Sequence, residues 1–269
     1  MIIKNTSTKV RKPRKPALSP TKINTFTTCR LMYYFTYIQR ISRFYYKPKM
    51  QHSFGLSLHR SLEDFHKTGG AQTQSAQDLV KKLHTSWSSL GYESTKQEEQ
   101  HIEAATQLLE QYHTACQIEG AKTLFTEKTF KQDMGAFNLT GRVDRIDEHP
   151  DGCLEIIDYK SGRASVDEDE VRNDPAMGIY AYLAHKSFPE QAITASIYCL
   201  RTGDKATAKY EHCDFVEIED GVRTVADELL AIDVDTEIDP VWLDYVCPRC
   251  DYLRLCARRM RWNTDLDRA

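Results

Sequence analysis

The chain lacks any apolar run long enough to cross a bilayer. Its basic N-terminus has no hydrophobic segment behind it, which argues against a secretory signal. No helicase motif occurs in the 269 residues, so no nucleotide-driven motor is expected, and the length suits a stand-alone enzyme. Positive charge is also short. The formal net charge is −3, which excludes a uniformly basic nucleic-acid surface. The basic residues are concentrated instead. Residues 1–15 carry six of them (Lys4, Lys9, Arg11, Lys12, Arg14, Lys15) and no acid, leaving −9 on the remainder. Hydrophobic residues make up 41%, enough for a substantial core in one large domain or two small ones. Eight cysteines without a secretory signal are poorly explained as a disulfide framework. The expected setting is cytoplasmic and reducing, with no membrane partner.

Residues 1–18, proline-bearing and basic, read as a disordered arm that either tracks phosphates or is simply solvated. Ser19-Pro20 starts a helix by N-cap and first-turn proline. Helical spacing then runs from Ile23 to Ile38, broken near Cys29. Aromatics from Tyr33 to Tyr46, interleaved with Arg30, Arg40, Arg43 and Lys47, supply core, with one or two left to stack on bases. A helix over 51–67 buries Phe54, Leu58, Leu62 and Phe65, with His59 beside the stripe and Glu63 one turn on. His59 is either a satisfied structural histidine or a ligand, and His59, Glu63 and His66 together could hold a separate metal. Helices are expected over 74–90 and 96–119, then a strand over 124–132 carrying Glu127. Further on, a capped helix runs from Asp174-Pro175 to Phe188, strands span 192–201 and 205–215, and a helix begins near Asp220.

The centre of the chain is a hairpin. Leu139–Ile146 and Leu154–Tyr159 read as strands around the turn His149-Pro150-Asp151-Gly152. Pairing lets Asp144 face Asp158, and alternation puts Asp158 and Lys160 on one face, roughly 7 Å apart. Two acids can hold a hard divalent cation, and a lysine can orient a water or stabilise developing negative charge. That combination suits phosphodiester cleavage. The plainer reading is a solvated ion pair. Cys247-x-x-Cys250 with Cys256 makes a second cluster, and outside a disulfide setting three such close thiolates are ligands. Cys29 is the upstream candidate for a fourth. Four thiolates suit a [4Fe–4S] cluster or a structural Zn²⁺ equally.

Asp144 followed by Asp158-Tyr159-Lys160 resembles the D…(D/E)xK signature of the PD-(D/E)XK nucleases, in their RecB-like exonuclease branch. The ordered set of N-terminal cysteine, histidine helix, acids, lysine, tyrosine helix and three cysteines is similar to the AddB nuclease domain and to CRISPR-associated RecB-like exonucleases. The resemblance implies a single nuclease domain over 19–269. Its α/β core would be restriction-endonuclease-like, a mixed sheet flanked by helices, with a helical insert near 70–120. It implies Mg²⁺ or Mn²⁺ held by His59, Asp144, Asp158 and the Tyr159 carbonyl, Lys160 as catalytic lysine, and Glu127, Glu63 and Tyr180 in support. It favours [4Fe–4S] over zinc at Cys29, Cys247, Cys250 and Cys256, with Arg249, Arg254, Arg258, Arg259 and Arg261 as a basic rim. Tyr180 occupies the tyrosine place of a Q-x-x-x-Y helix, but Ala176 stands where the glutamine belongs. The implied substrate is single-stranded DNA or DNA ends, and the implied partners are a helicase or a CRISPR adaptation protein. The alternative is a non-catalytic, iron–sulfur-stabilised DNA-binding subunit of a helicase–nuclease complex.

Overall fold

The computed structural model describes residues 15–116 and 121–260. Six strands form one mixed sheet: β1 (Ala17–Leu18), β2 (Lys122–Asp133), β3 (Asn138–Glu148), β4 (Leu154–Lys160), β5 (Ile193–Cys199) and β6 (Lys205–Tyr210). β3 organises it. One edge of β3 lies antiparallel to β2 over nearly its whole length. The other edge is shared: β1 pairs parallel at Asn138–Leu139, and β4 pairs antiparallel at Arg145–Glu148. Among the described residues no strand pairs with residues 140–144 on that side. β4 continues parallel to β5, which pairs antiparallel with β6.

Helices cover both faces. In order they are α1 (Pro20–Thr28), α2 (Arg30–Tyr33), α3 (Ser42–Tyr45), α4 (Met50–Lys67), α5 (Ala76–Ser86), α6 (Thr95–Cys116), α7 (Glu168–Arg172), α8 (Pro175–Ser187), α9 (His212–Leu230) and α10 (Leu253–Met260). β4 shows why two layers are needed. Leu154 and Ile156 enter one core with Phe26, Met177, Leu183 and Val222, while Ile157 and Tyr159 enter another with Leu58, Leu62, Leu83 and Leu109. A strand apolar on both faces must be covered on both. α4, α5 and α6 form the second cover. Buried serines let α4 and α5 approach closely, with Ser61 Oγ 2.9 Å from Ser86 Oγ.

Several expectations need correction. Residues 15–18 of the arm expected over 1–18 are ordered on the fold: Lys15 pairs with Asp133 at 2.7 Å and Leu18 is buried in the sheet. Residues 1–14 lie outside the described residues, as do the last positions expected in the 96–119 helix and Arg261 of the basic rim. The 74–90 helix stops at Ser86. Trp87 turns out of it to stack on Tyr92 at 5.8 Å and to donate to Glu98 Oε1. β6 ends at Tyr210, not at 215, and α9 starts at His212. There the Glu211 backbone N–H donates to Asp214 Oδ2 at 2.7 Å, and Phe215, Val222, Ala226 and Leu229 keep helical spacing.

Candidate active site

The site forms where β4 leaves β3. Beyond Ile157 the two strands part, and the Tyr159 N–H donates to the Asp144 side chain, Oδ2, at 2.9 Å. His59 comes down from α4 and brings Nδ1 to 3.2 Å from the same Oδ2. Glu127 of β2 completes the group. Single ligand atoms from His59, Glu127 and Asp144 all lie within 4.8 Å of one another, the one such trio among the described residues. Glu127 reaches this position from a left-handed backbone conformation, φ 49°, where β2 runs past Asp144. That conformation costs a non-glycine residue about 1–2 kcal/mol and is characteristic of functional sites.

Asp158 and Lys160 share a face of β4, and Lys160 Nζ lies 2.7 Å from Asp158 Oδ2. Asp158 is therefore drawn toward Lys160 rather than into the His59 trio, which departs from the His59, Asp144, Asp158 ligand set. Its charge still reaches Asp144. Burial, and then the Asp144 carboxylate, push the Asp158 carboxyl up to about 6, against the pull of Lys160. Burial and Asp144 likewise raise Glu127. Burial alone would lower His59, but the Asp144 contact and the charges of Asp144, Asp158 and Glu127 outweigh it and raise it. Lys160 follows the same pattern: burial opposes its charge, and Asp158, Asp174 and Asp144 restore and raise it.

These shifts describe an excess of negative charge. Glu127 Oε2 and Asp158 Oδ2 are buried without an aligned hydrogen-bond donor, although Arg142 Nε and Lys160 Nζ each stand 2.7 Å away. Hard oxygen donors plus one imidazole, with lone pairs to spare, fit a divalent cation. His59, Glu127 and Asp144 could hold it, with Asp158 beside them and paired to Lys160.

The supporting residues divide. Glu63 pairs with Lys67 on α4 and does not join the trio. Tyr180 packs against Gly141, whose glycine is explained by the contact: a Cβ there would meet Leu183 at 2.8 Å and the Tyr180 ring at 3.0 Å. Burial, and then the charges of Asp158 and Asp144, raise the Tyr180 hydroxyl. Gly55, one turn before His59, abuts Ser161 just after Lys160. His66 takes no part in a metal group with His59 and Glu63. Its Nε2 lies 2.6 Å from the Tyr112 hydroxyl and 2.9 Å from Arg145 Nη1, and burial followed by Arg145 lowers its pKa to about 2.

Sequence reasoning missed that network. Arg145 is buried and donates to Asp147 Oδ2 at 2.6 Å and to the Tyr159 hydroxyl at 3.1 Å, while Tyr112 and Tyr159 are 2.6 Å apart at their hydroxyls. It ties β3, β4, α4 and α6 together directly behind the site. The strand alternation of Arg145 and Asp147 was the available signal.

The cysteine cluster lies elsewhere. Cys29 breaks the helical run in an extended conformation, its Sγ accepting from the Met32 N–H at 3.4 Å. Cys29, Cys247, Cys250 and Cys256 line one small pocket beside the cluster of Leu31, Tyr34, Phe35 and Tyr252. Burial, then Cys29 and Cys247, raise the Cys250 thiol. Among the described residues no three of these sulfurs fall within 4.8 Å of one another.

A two-faced α/β sheet whose parting strands carry acids and a lysine under a histidine-bearing helix belongs to the nuclease class. The sequence pattern of the PD-(D/E)XK nuclease superfamily matches residues 17–257, and the chain belongs to that superfamily, whose members use divalent metals. Over 87 residues it is 34% identical to one of the subunits of the ATP-dependent helicase/deoxyribonuclease of Lactococcus lactis subsp. cremoris strain SK11. The same identity and length relate it to the exonuclease/helicase subunit RexB of strain MG1363. Each match covers 29% of this chain and only 8% of the relative. A solved structure from Eubacterium rectale shares 12% identity over 95% of this chain and 93% of that one, with a TM-score of 0.48. Among the described residues no helix is long and apolar enough to cross a membrane.

Proposed function

We propose that the chain is a deoxyribonuclease hydrolysing single-stranded DNA or DNA ends, and that residues 19–269 act as one nuclease domain with α5 and α6 as its insert. The grouping of His59, Glu127 and Asp144 beside the Asp158–Lys160 pair carries this reading. Asp144, Asp158, Glu127 and His59 would hold Mg²⁺ or Mn²⁺, with the Tyr159 carbonyl completing the set. A divalent cation supplies Lewis acidity toward the scissile phosphate and eases deprotonation of water near neutral pH. Lys160, held protonated by Asp158, orients the attacking water and meets the charge that builds on the phosphoryl oxygens. Tyr180 bounds the acids on the side of α8.

The four clasp cysteines are assigned to a [4Fe–4S] cluster. The resemblance to the RecB-like branch is what favours that cluster over a structural zinc, which four thiolates would suit equally. Residues 29 and 247 are 218 apart in sequence, so the cluster closes a long loop and couples to folding. Arg249, Arg254 and Arg258 neighbour the cysteines in sequence and are candidate contacts to a DNA backbone. A helicase partner is proposed from the names of the Lactococcus relatives, and a CRISPR adaptation partner from the resemblance alone.

The test is incubation of purified protein with a single-stranded oligonucleotide and Mn²⁺, with an EDTA control, alongside Asp144→Ala and Lys160→Ala. Cleavage should require metal and both side chains, and the variants should keep wild-type circular dichroism. DNA binding by a wild type that never cuts strands or ends would instead identify a non-catalytic subunit.

A further inference from the structure

The segment between the clasp and the histidine helix is sorted by side chain. Tyr45 turns inward and packs on Tyr252 at 5.7 Å, and Lys49 Nζ pairs with Asp251 at 3.0 Å. Both anchors grip the cysteine-bearing loop. The residues on either side of Tyr45 turn outward: Phe44 is 67% exposed and Tyr46 is 54% exposed. The exposed Arg43 and Lys47 flank them, and the Arg43 guanidinium sits 4.6 Å from the Phe44 ring centroid. α4 follows at once. Its exposed positions Leu56 and Arg60 fall one turn apart and continue the same apolar-and-basic alternation to the residue next to His59.

We infer that Phe44 and Tyr46 form a stacking platform for single-stranded nucleic acid, which leads a strand along α4 to the active site. The inference rests on the nuclease reading and narrows its substrate. Large aromatic rings left in water beside arginine and lysine are explained neither by the core nor by capping. Flat faces for bases and cations for phosphates are what single-strand binding requires, and duplex bases are stacked within and unavailable. From Met50 to His59 the helix rises about 14 Å, so platform and site lie a few nucleotides apart. The fixed anchors matter because a platform already ordered loses little entropy on binding.

The probe is a fluorescent oligo-dT of about 20 nucleotides, titrated in EDTA so that nothing is cut, against a duplex of the same length. Phe44→Ala with Tyr46→Ala should weaken single-strand binding by about tenfold or more and leave duplex binding within about twofold. Phe44→Trp with Tyr46→Phe should restore it, because the rings return. Thermal melting of each variant establishes that it is folded. Equal single-strand affinity for the wild type and the folded alanine variant overturns the inference. Equal losses on single strand and duplex also overturn it, since they mark a contact blind to unstacked bases. Hydrolysis of bis(p-nitrophenyl) phosphate by the wild type with Mn²⁺ reads the nuclease site separately. Ester hydrolysis without oligonucleotide binding sinks the platform alone, and binding without any hydrolysis sinks the nuclease reading alone.

Discussion

The Asp144 carboxylate accepts the backbone N–H of Tyr159 at 2.9 Å, filling the place that a β3 carbonyl would take if the hairpin had stayed zipped. One oxygen thus does structural duty, receiving Tyr159 and contacting His59. Asp144→Asn keeps an acceptor for Tyr159, and Asp144→Ala does not. Both should lose cleavage by about three orders of magnitude if they remove a metal ligand. Only the alanine should also lose stability, by about 1–2 kcal/mol, because a buried N–H is left without a partner. Rates with Mn²⁺ and urea melts in EDTA separate the two effects.

Asp158→Asn should stabilise the metal-free protein at pH 7.5. The folded carboxyl is raised from 3.8 to about 6, so its contribution to stability is complete below pH 3.8 and is lost as pH rises through 6. Relative to asparagine, the wild type should be at a disadvantage of up to roughly 3 kcal/mol above pH 6. Melting temperatures of the two proteins in EDTA should converge near pH 4 and diverge by pH 7.5. Parallel curves across that range would mean that Asp158 is not under this repulsion.

The same negative charge favours the protonated form of His59, whose pKa is raised by Asp144, Asp158 and Glu127 against the opposing effect of burial. Metal must displace that proton, so Mn²⁺ affinity should fall as pH drops through the raised value, which lies above 6.5. Calorimetry in buffers of differing ionisation heat should register proton release. In His59→Gln the release should shrink.

At Glu127 the usual ranking of alanine over glycine should reverse. With φ at 49°, Glu127→Gly relieves the backbone and Glu127→Ala does not. Glycine should be the more stable by about 1 kcal/mol in denaturant melts, and both variants should bind Mn²⁺ less tightly.

With the proposed cluster in place, Cys29→Ser should remove it and lower the melting temperature by a few degrees, since 1 kcal/mol is worth about 2–4 °C in a domain of roughly this size. Metal analysis of the wild type should find iron and sulfide rather than zinc. Zinc alone, with no visible absorbance, would refute the cluster.

Much of the site is local in sequence, and that part was legible. The turn at His149–Gly152 fixes the hairpin register, and strand alternation then puts Asp158 and Lys160 together. His59 could be placed by helical spacing because α4 has a plain apolar stripe. What was not legible depends on a sheet bending. Glu127 was expected in support of the metal site from the resemblance, but its left-handed backbone was not, since no residue type announces that for a glutamate. The drift of Asp158 toward Lys160 reflects a balance of charges that spacing alone does not express. The short strand at Ala17–Leu18 was hidden by its prolines and lysines, because two residues show no period. Past Tyr210, strand and helix periods overlap for several residues, and there the Glu211–Asp214 cap was the better guide.

His59 and His66 are two turns apart on one helix, about 10.5 Å along its axis. The first points at the acids and the second is fastened by Arg145 and Tyr112. One helix is thus fixed at both ends of that span, by the acids at His59 and by the buried Arg145 network at His66.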